Sequence, residues 1–452
     1  MKVFTLNDAA AWMSAELIGD SVEVRSVTTD TREVADGSLF IALRGERFDG
    51  HDFCLQAQDS GCIAIVVEKI IPEVSVPQLL VADTLRAYGQ LANGYRNSLE
   101  VKIVAITGSA GKTTVKQMCA SILAQQGETV FTHANFNNEI GVPKTVLSIS
   151  ETTEYAVVEM GAAKPHDISY LCEIAQPDVV AVNNVLEAHI EGFGSVEAVA
   201  DTKGEIYQGV RPSGACVFVA DSPYLDDFTG RAATTDHVLV GIGDDKRLDI
   251  SATDIQLTKD GTANFILSTP DGMTSIALPV IGVHNVHNAL VAAGLTMLVG
   301  ASLTSIERGL ASFVSASGRM NVSRLPGDIV LIDDTYNANP GSMQKAIDSL
   351  VSLGKEAWLV SGHMAELGED EVAMHKQIGQ YAKDSGVARL FTVGELAKWM
   401  AEAFGENATH FQNQSDLIDE LKRSVKPSIA ILVKGSRSAH MEAVVRQLIE
   451  KG

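Results

Sequence analysis

The run Lys102-Ile103-Val104-Ala105-Ile106-Thr107 passes directly into Gly108-Ser109-Ala110-Gly111-Lys112-Thr113-Thr114. A helical pattern follows at once, with Val115, Met118, Cys119, Ile122 and Leu123 at spacings of three and four and Gly127 to end it. A strand that is apolar on both faces, followed by a glycine loop and a helix, commits the chain to an α/β fold with a buried parallel sheet. The glycines let backbone amides turn toward phosphate oxygens, and the helix N-terminus adds partial positive charge. Lys112 brings a full charge, and the Thr113 hydroxyl is suited to magnesium. The alternative is an ordinary tight strand-to-helix turn. One position departs from the common G-x-x-x-x-G-K-[ST] loop, because Ile106 stands where that pattern has its first glycine.

At 452 residues the chain is too long for one hydrophobic core, and three domains are expected. Apolar residues make up 46% and charged residues 20%, which excludes the composition of a disordered chain. No uninterrupted apolar run reaches spanning length, and Asn7, Asp8, Glu16 and Asp20 stand where a signal peptide would be apolar, so a soluble cytoplasmic protein with no integral membrane segment is expected. The formal net charge of -22 argues against a broad nucleic-acid interface. Cys54, Cys62, Cys119, Cys172 and Cys216 form no C-x-x-C pair and read as buried thiols in a reducing compartment.

Short β-type runs at 39–43, 64–67 and 78–81 define a small N-terminal α/β domain over residues 1–82. Asp83 or Thr84 is placed to cap a helix reaching about Arg96. A central domain, 83–313, adds strands at 155–158, 179–182 and 216–219, then antiparallel hairpins between Asp249 and Pro279, then a helix from about Val286 to Val299 ended by Gly300. Strands at 329–332, 357–360, 390–393 and 429–433 give residues 314–452 a second, smaller doubly wound sheet of Rossmann type. The fold class is therefore α/β in three domains, the central one built on the phosphate loop.

Other polar residues stand where such sheets collect ligands. Glu159 ends the strand at 155–158 and Asp334 follows the strand at 329–332, both at carboxyl edges. His189 lies beyond the strand ending at Val182, and Lys203 falls in the helical segment Ala200 to Ile206, where composition alone makes it a solvated lysine. The stretch Asn135 to Pro143 offers several side-chain amides, including Asn138, ahead of a helix that can start near Pro143. Asn288 belongs to His284-Asn285-Val286-His287-Asn288-Ala289, whose plain alternative is an Asn-capped helix, and Arg319 follows Gly318 at the second domain junction.

In this order the phrases resemble the Mur ligases and their folylpolyglutamate synthetase relatives. The resemblance implies an ATP- and magnesium-dependent ligase that forms amide bonds. It implies nucleotide contacts at Gly108, Ser109, Ala110, Gly111, Lys112, Thr113, Thr114, Asn288, Arg319 and Asp334. It assigns magnesium to Thr113, Glu159, His189 and a carbamylated Lys203, with Lys112, Glu159, His189 and Lys203 catalytic. Thr28-Thr29-Asp30-Thr31-Arg32 resembles the UDP-sugar domain of the third and fourth ligases of the series, implying substrate contacts at Thr29, Asp30 and Arg32, with Asn138 lining the place where sugar-peptide and phosphate meet.

The D-N-P-[RA] motif of the third ligase is absent. Gly362-His363-Met364-Ala365-Glu366-Leu367-Gly368 and Val433-Lys434-Gly435-Ser436-Arg437-Ser438 resemble the fourth, which implies UDP-N-acetylmuramoyl-tripeptide and D-alanyl-D-alanine as substrates and Lys434, Ser436 and Arg437 as further contacts. His363 departs from the aspartate expected there and receives no role. Another ligase of the superfamily, adding a single amino acid, is the first rival. A nucleotide-switched binding protein is the second, although no N-K-x-D phrase is present. The sequence leaves oligomeric state open, with a monomer as the default, and leaves open whether the tripeptide ends in diaminopimelate or lysine.

Overall fold

The computed structural model describes residues 1–45, 48–186, 190–232 and 236–450. In the N-terminal region, strands Glu16–Ile18, Gln78–Leu80, Ala64–Val67, Ser38–Ile41 and Ser26–Thr28 lie side by side in that order, parallel except where the first pair is antiparallel. The three runs read from the sequence are its central strands. The helix Thr84–Asn97 is capped by the Asp83 carboxylate on the Arg86 amide, as expected. It packs on both sides of the boundary at residue 82. Tyr95 donates to the Ile149 carbonyl at 2.6 Å, and buried Arg96 reaches Asp178 at 3.2 Å. One hydrophobic core therefore runs from Leu6 and Leu91 into Ile103 and Ile168, so residue 82 marks a change of sheet and not a gap in packing.

In the central sheet, β1 (Lys102–Thr107) is flanked by β2 (Tyr155–Glu159) and β3 (Val179–Val182), all parallel. The chain leaves β1 to one side and returns to the other, which opens a crevice at the carboxyl edge of β1. Thr129–Phe131 extends the sheet beyond β2. On the other flank Ala215–Val219, Asp236–Ile242 and Ile250–Leu257 follow in parallel, then Thr262–Thr269 and Gly272–Ile281 antiparallel, as the Asp-Gly turns implied. The edge strand at 129–131 and the strand at 236–242 were not read from the sequence. The former has three residues, too few for a period.

Three helices carry site residues: α1 (Lys112–Leu123), α2 (Val196–Gln208) and α3 (His284–Met297). Helix α1 stops at Leu123, short of Gly127, and the helix expected near Pro143 starts two residues earlier, at Gly141. Helix α3 is not Asn-capped. Its N-cap is Val283, without a side-chain bond, and Asn285 is buried with its amide donating back to the Ile281 carbonyl at 2.8 Å.

In the C-terminal sheet, β4 (Ile329–Asp334), β5 (Glu356–Ser361) and β6 (Ile429–Lys434) take the order β4-β6-β5. Arg389–Val393 and Ala408–Phe411 continue it in parallel, and Asn321–Leu325 forms an antiparallel edge on β4. Register pairs Asp334 with Lys434 at the carboxyl edge. No described helix is long and apolar enough to cross a membrane.

Candidate active site

A cleft of about 630 Å³ lies between the carboxyl edge of the central sheet and the C-terminal domain. Its walls include the loop from Ser109 to Thr114, Glu159, Lys203 and Asn288 on one side and Arg319, Asp334, Lys434 and Arg437 on the other, so the structure gathers residues over 300 apart in sequence.

The loop is held in shape by asparagines of the neighbouring strand end and helix. Asn184 accepts from the Ala110 amide at 2.8 Å and returns a bond to the Ala110 carbonyl at 2.9 Å, while its own carbonyl accepts from the Ser109 amide at 2.9 Å. Asn183 donates to the Ala110 carbonyl and to Asn288, each at 2.9 Å, and Asn288 donates to Asn285 at 2.8 Å. The Ser109 and Ala110 amides are therefore engaged by protein. The anion site falls to the first turn of α1, whose N-cap, Gly111, offers no side-chain bond.

Gly111 has φ +78°, and a Cβ there would lie 2.4 Å from the Asn183 amide nitrogen and 2.6 Å from Asn288. The substitution Gly111→Ala is expected to cost about 1–3 kcal/mol through left-handed strain and displaced asparagines. It should raise the KM for ATP while far-UV circular dichroism is retained. An unchanged KM would disprove this account of the loop.

Lys112 donates to the Gly108 carbonyl at 2.6 Å in the present conformation. Burial pushes its pKa down, and Glu159 opposes that. Glu159 is 2% exposed and accepts from Thr113 Oγ1 at 2.9 Å, Asn137 Nδ2 at 2.9 Å and Lys116 Nζ at 3.2 Å. Burial alone would raise its pKa, but Lys116, Lys112, Arg319 and Asn137 hold it below the usual carboxylate range. A hydroxyl and an ionised carboxylate at the mouth of a phosphate loop are hard oxygen donors, the chemistry magnesium takes when phosphates supply further ligands. No group of three or more His, Cys, Asp or Glu poised for a metal occurs among the described residues.

Lys203, read by composition as solvated, is 2% exposed on α2. Burial, with a smaller contribution from Lys112, pushes its pKa down to about 7. Across the cleft the Arg319 guanidinium lies 4.2 Å over the Tyr336 ring, and its buried Nε has no hydrogen-bond partner among the described residues. An orphaned cationic donor in a cleft fits an anionic ligand. Asp334 receives Lys434 Nζ at 2.5 Å, and the same ammonium donates to the Asn337 carbonyl at 2.8 Å.

Other expected contacts lie elsewhere. Thr29, Asp30 and Arg32 are on the N-terminal domain outside the cleft, where the Arg32 guanidinium holds the Asp30 carboxyl down to about 2. Asn138 lines the cleft, but its side-chain Oδ1 accepts from the Gly141 amide at 3.0 Å, in the turn that leads into the helix starting there. Ser436 is buried, 3.0 Å from Ser438 Oγ, and His363 reaches Ser438 at 3.0 Å. His189 lies outside the described residues.

Lys116, Asn137, Asn183 and Asn184 were missed as functional residues. Lys116 carried one legible signal, a charge one turn beyond Lys112 among the apolar positions of α1.

The fold and cleft define a phosphate-loop α/β protein with a capping C-terminal domain, and the family models agree. They match the Mur ligase family catalytic domain at residues 23–96, the Mur ligase middle domain at 106–296 and the Mur ligase glutamate ligase domain at 318–437. The chain belongs to the Mur ligase family. Among its relatives, the UDP-N-acetylmuramoyl-tripeptide--D-alanyl-D-alanine ligase of Escherichia coli K12 is 42% identical over 99% of both chains. The enzyme of that name from Bacillus subtilis is 34% identical over 94% of this chain and 93% of its own. Crystal structure I of MurF from Acinetobacter baumannii superposes with a TM-score of 0.93 at 33% identity, over 100% of this chain and 99% of that one. The MurF ligase of Thermotoga maritima in complex with ADP gives 0.85 at 27%, over 95% and 99%.

Proposed function

We propose that this chain joins D-alanyl-D-alanine to UDP-N-acetylmuramoyl-tripeptide, consuming ATP, in the cytoplasmic stage of peptidoglycan synthesis. The observation that carries this reading is end-to-end similarity to a ligase of that name, at 42% identity over 99% of both chains. The phosphate loop, Arg319 and Asp334 sharing one cleft support it.

The reaction takes two steps. The terminal carboxylate of the tripeptide attacks the γ-phosphorus, the bond to the bridging oxygen breaks, and ADP leaves. The neutral amine of the dipeptide then attacks the acyl phosphate carbon. The tetrahedral intermediate collapses with the carbon–oxygen pair leaving on phosphate, and the amine proton passes to solvent. Lys112 and Arg319 balance charge on the transferring phosphoryl group, where most of the catalysis of such transfers lies. Thr113 and Glu159 would hold magnesium, joined in this reading by His189 and carbamylated Lys203, and the bound ion neutralises phosphate charge. The loop from Gly108 to Thr114 with Asn288 and Asp334 orients ATP. Thr29, Asp30 and Arg32 serve the UDP-sugar, Asn138 the tripeptide, and Lys434, Ser436 and Arg437 the dipeptide. A cleft shared by two domains can close and keep water from the acyl phosphate.

A coupled ADP-release assay tests the substrate assignment. With the diaminopimelate- or lysine-ended tripeptide, D-Ala-D-Ala should drive ADP release at least about tenfold over background, and single amino acids should not. Release driven equally by a single amino acid would reassign the chain within the family.

A further inference from the structure

Helix α1, which the phosphate loop opens, contains a buried lysine that the two-step chemistry leaves without a task. Lys116 is 2% exposed, sits one helical turn after Lys112, and places its ammonium 3.2 Å from Glu159 Oε2 and 3.3 Å from the Ala134 carbonyl. Thr113 gives its proton to the same carboxylate oxygen at 2.9 Å, and Asn137 holds the other at 2.9 Å. Both oxygens of the carboxylate best placed for a metal are thus engaged by protein donors. Lys112 and Arg319 add positive charge around Glu159, and Asp334 is engaged by Lys434. A site so balanced favours a polyanion and disfavours a bare divalent cation.

We infer that Lys116 is a positioning residue, a resident cation that fixes Glu159 and keeps the cleft from taking a divalent metal until nucleotide phosphates arrive. The Thr113 proton is directed into Glu159, so its oxygen lone pairs are free to face a metal that comes with those phosphates. Lys116 therefore makes metal binding depend on nucleotide. Without it, one carboxylate oxygen loses its competitor and the site loses one positive charge.

This rests on the cleft being a nucleotide and metal site, not on which peptide is joined. The test is Mn2+ binding to the full-length protein, followed by electron paramagnetic resonance without turnover. In Lys116→Met, Mn2+ should bind the nucleotide-free protein about tenfold or more tightly than in wild type, and ADP should enhance binding less. Lys116→Gln keeps a donor for Glu159 without the charge and should behave alike, which covers the case in which the methionine variant fails to fold. Lys116→Arg should stay within about twofold of wild type. A lysine that merely braced Glu159 would, once removed, weaken Mn2+ binding, so unchanged or weaker binding in the folded neutral variants overturns the assignment. Wild type that binds no Mn2+ even with ADP would overturn the site reading beneath it as well.

Discussion

Replacing Lys112 by methionine is expected to lower dipeptide-dependent ADP release by about 10²–10³-fold or more while leaving the fold intact. Two features separate the effects. Structurally, the side chain makes one bond, to the Gly108 carbonyl at 2.6 Å, and burial already disfavours its charge, so a methionine of similar length removes a cost along with a contact. Catalytically, Lys112 is the loop's own ammonium, at the start of α1 in the cleft shared with Arg319, and the other cations lining that cleft lie on other elements. The loss should fall mainly on kcat, because the amides of the first turn of α1 still bind phosphate. A folded variant within tenfold of wild type would remove Lys112 from the chemistry.

The second large effect concerns Lys203. An ordinary lysine near pH 7 is almost wholly protonated and unreactive, whereas one held at about 7 is close to half neutral and can add to carbon dioxide. The carbamate so formed would carry a negative charge in place of a positive one, beside Lys112. Lys203→Ala is expected to lose about 10²–10³ in rate and to regain part of it with short-chain carboxylates such as formate or acetate, which can fill the space left by the carbamate. Full activity in the variant would exclude the modification, and a loss that no carboxylate restores would leave a charge role unsupported.

The same shift has a stability consequence with a definite sign. Burial pushes the folded-state pKa of unmodified Lys203 down to about 7 from an ordinary lysine's 10.5, so between these the unfolded chain holds the extra proton. Stability then rises with pH across that window, and the penalty for burying the charge is full below about pH 7. Lys203→Met should flatten this dependence in urea midpoints measured from pH 6 to 9. A wild-type midpoint independent of pH over that range would show that the lysine is already modified or is less buried than its 2% exposure implies.

Much of this protein was legible residue by residue where the signal is local. The β1-loop-α1 unit, the strands bearing Glu159 and Asp334 and the antiparallel addition after Asp249 follow from apolar runs, glycines and turn pairs within a few residues of one another. Helix starts were less legible. Gly141 precedes the expected Pro143, with its amide on the Asn138 side chain, and α3 begins at His284 with the Asn285 side chain folded back onto the Ile281 carbonyl, so this asparagine does not cap the first turn as local chemistry would favour.

The sequence by itself determined that a phosphate loop opens a helix from a buried parallel strand, since the residues that do this are contiguous and their backbone preferences are their own. Tertiary structure alone decided that Asn183 and Asn184 shape that loop, that Lys116 pairs with Glu159, that Lys203 is buried, and that Arg319 and Asp334 share a cleft with Lys112. The reason is physical. A lysine on a helix is solvated or buried according to which surface covers it, and that surface comes from strands and domains whose order of pairing no local pattern specifies.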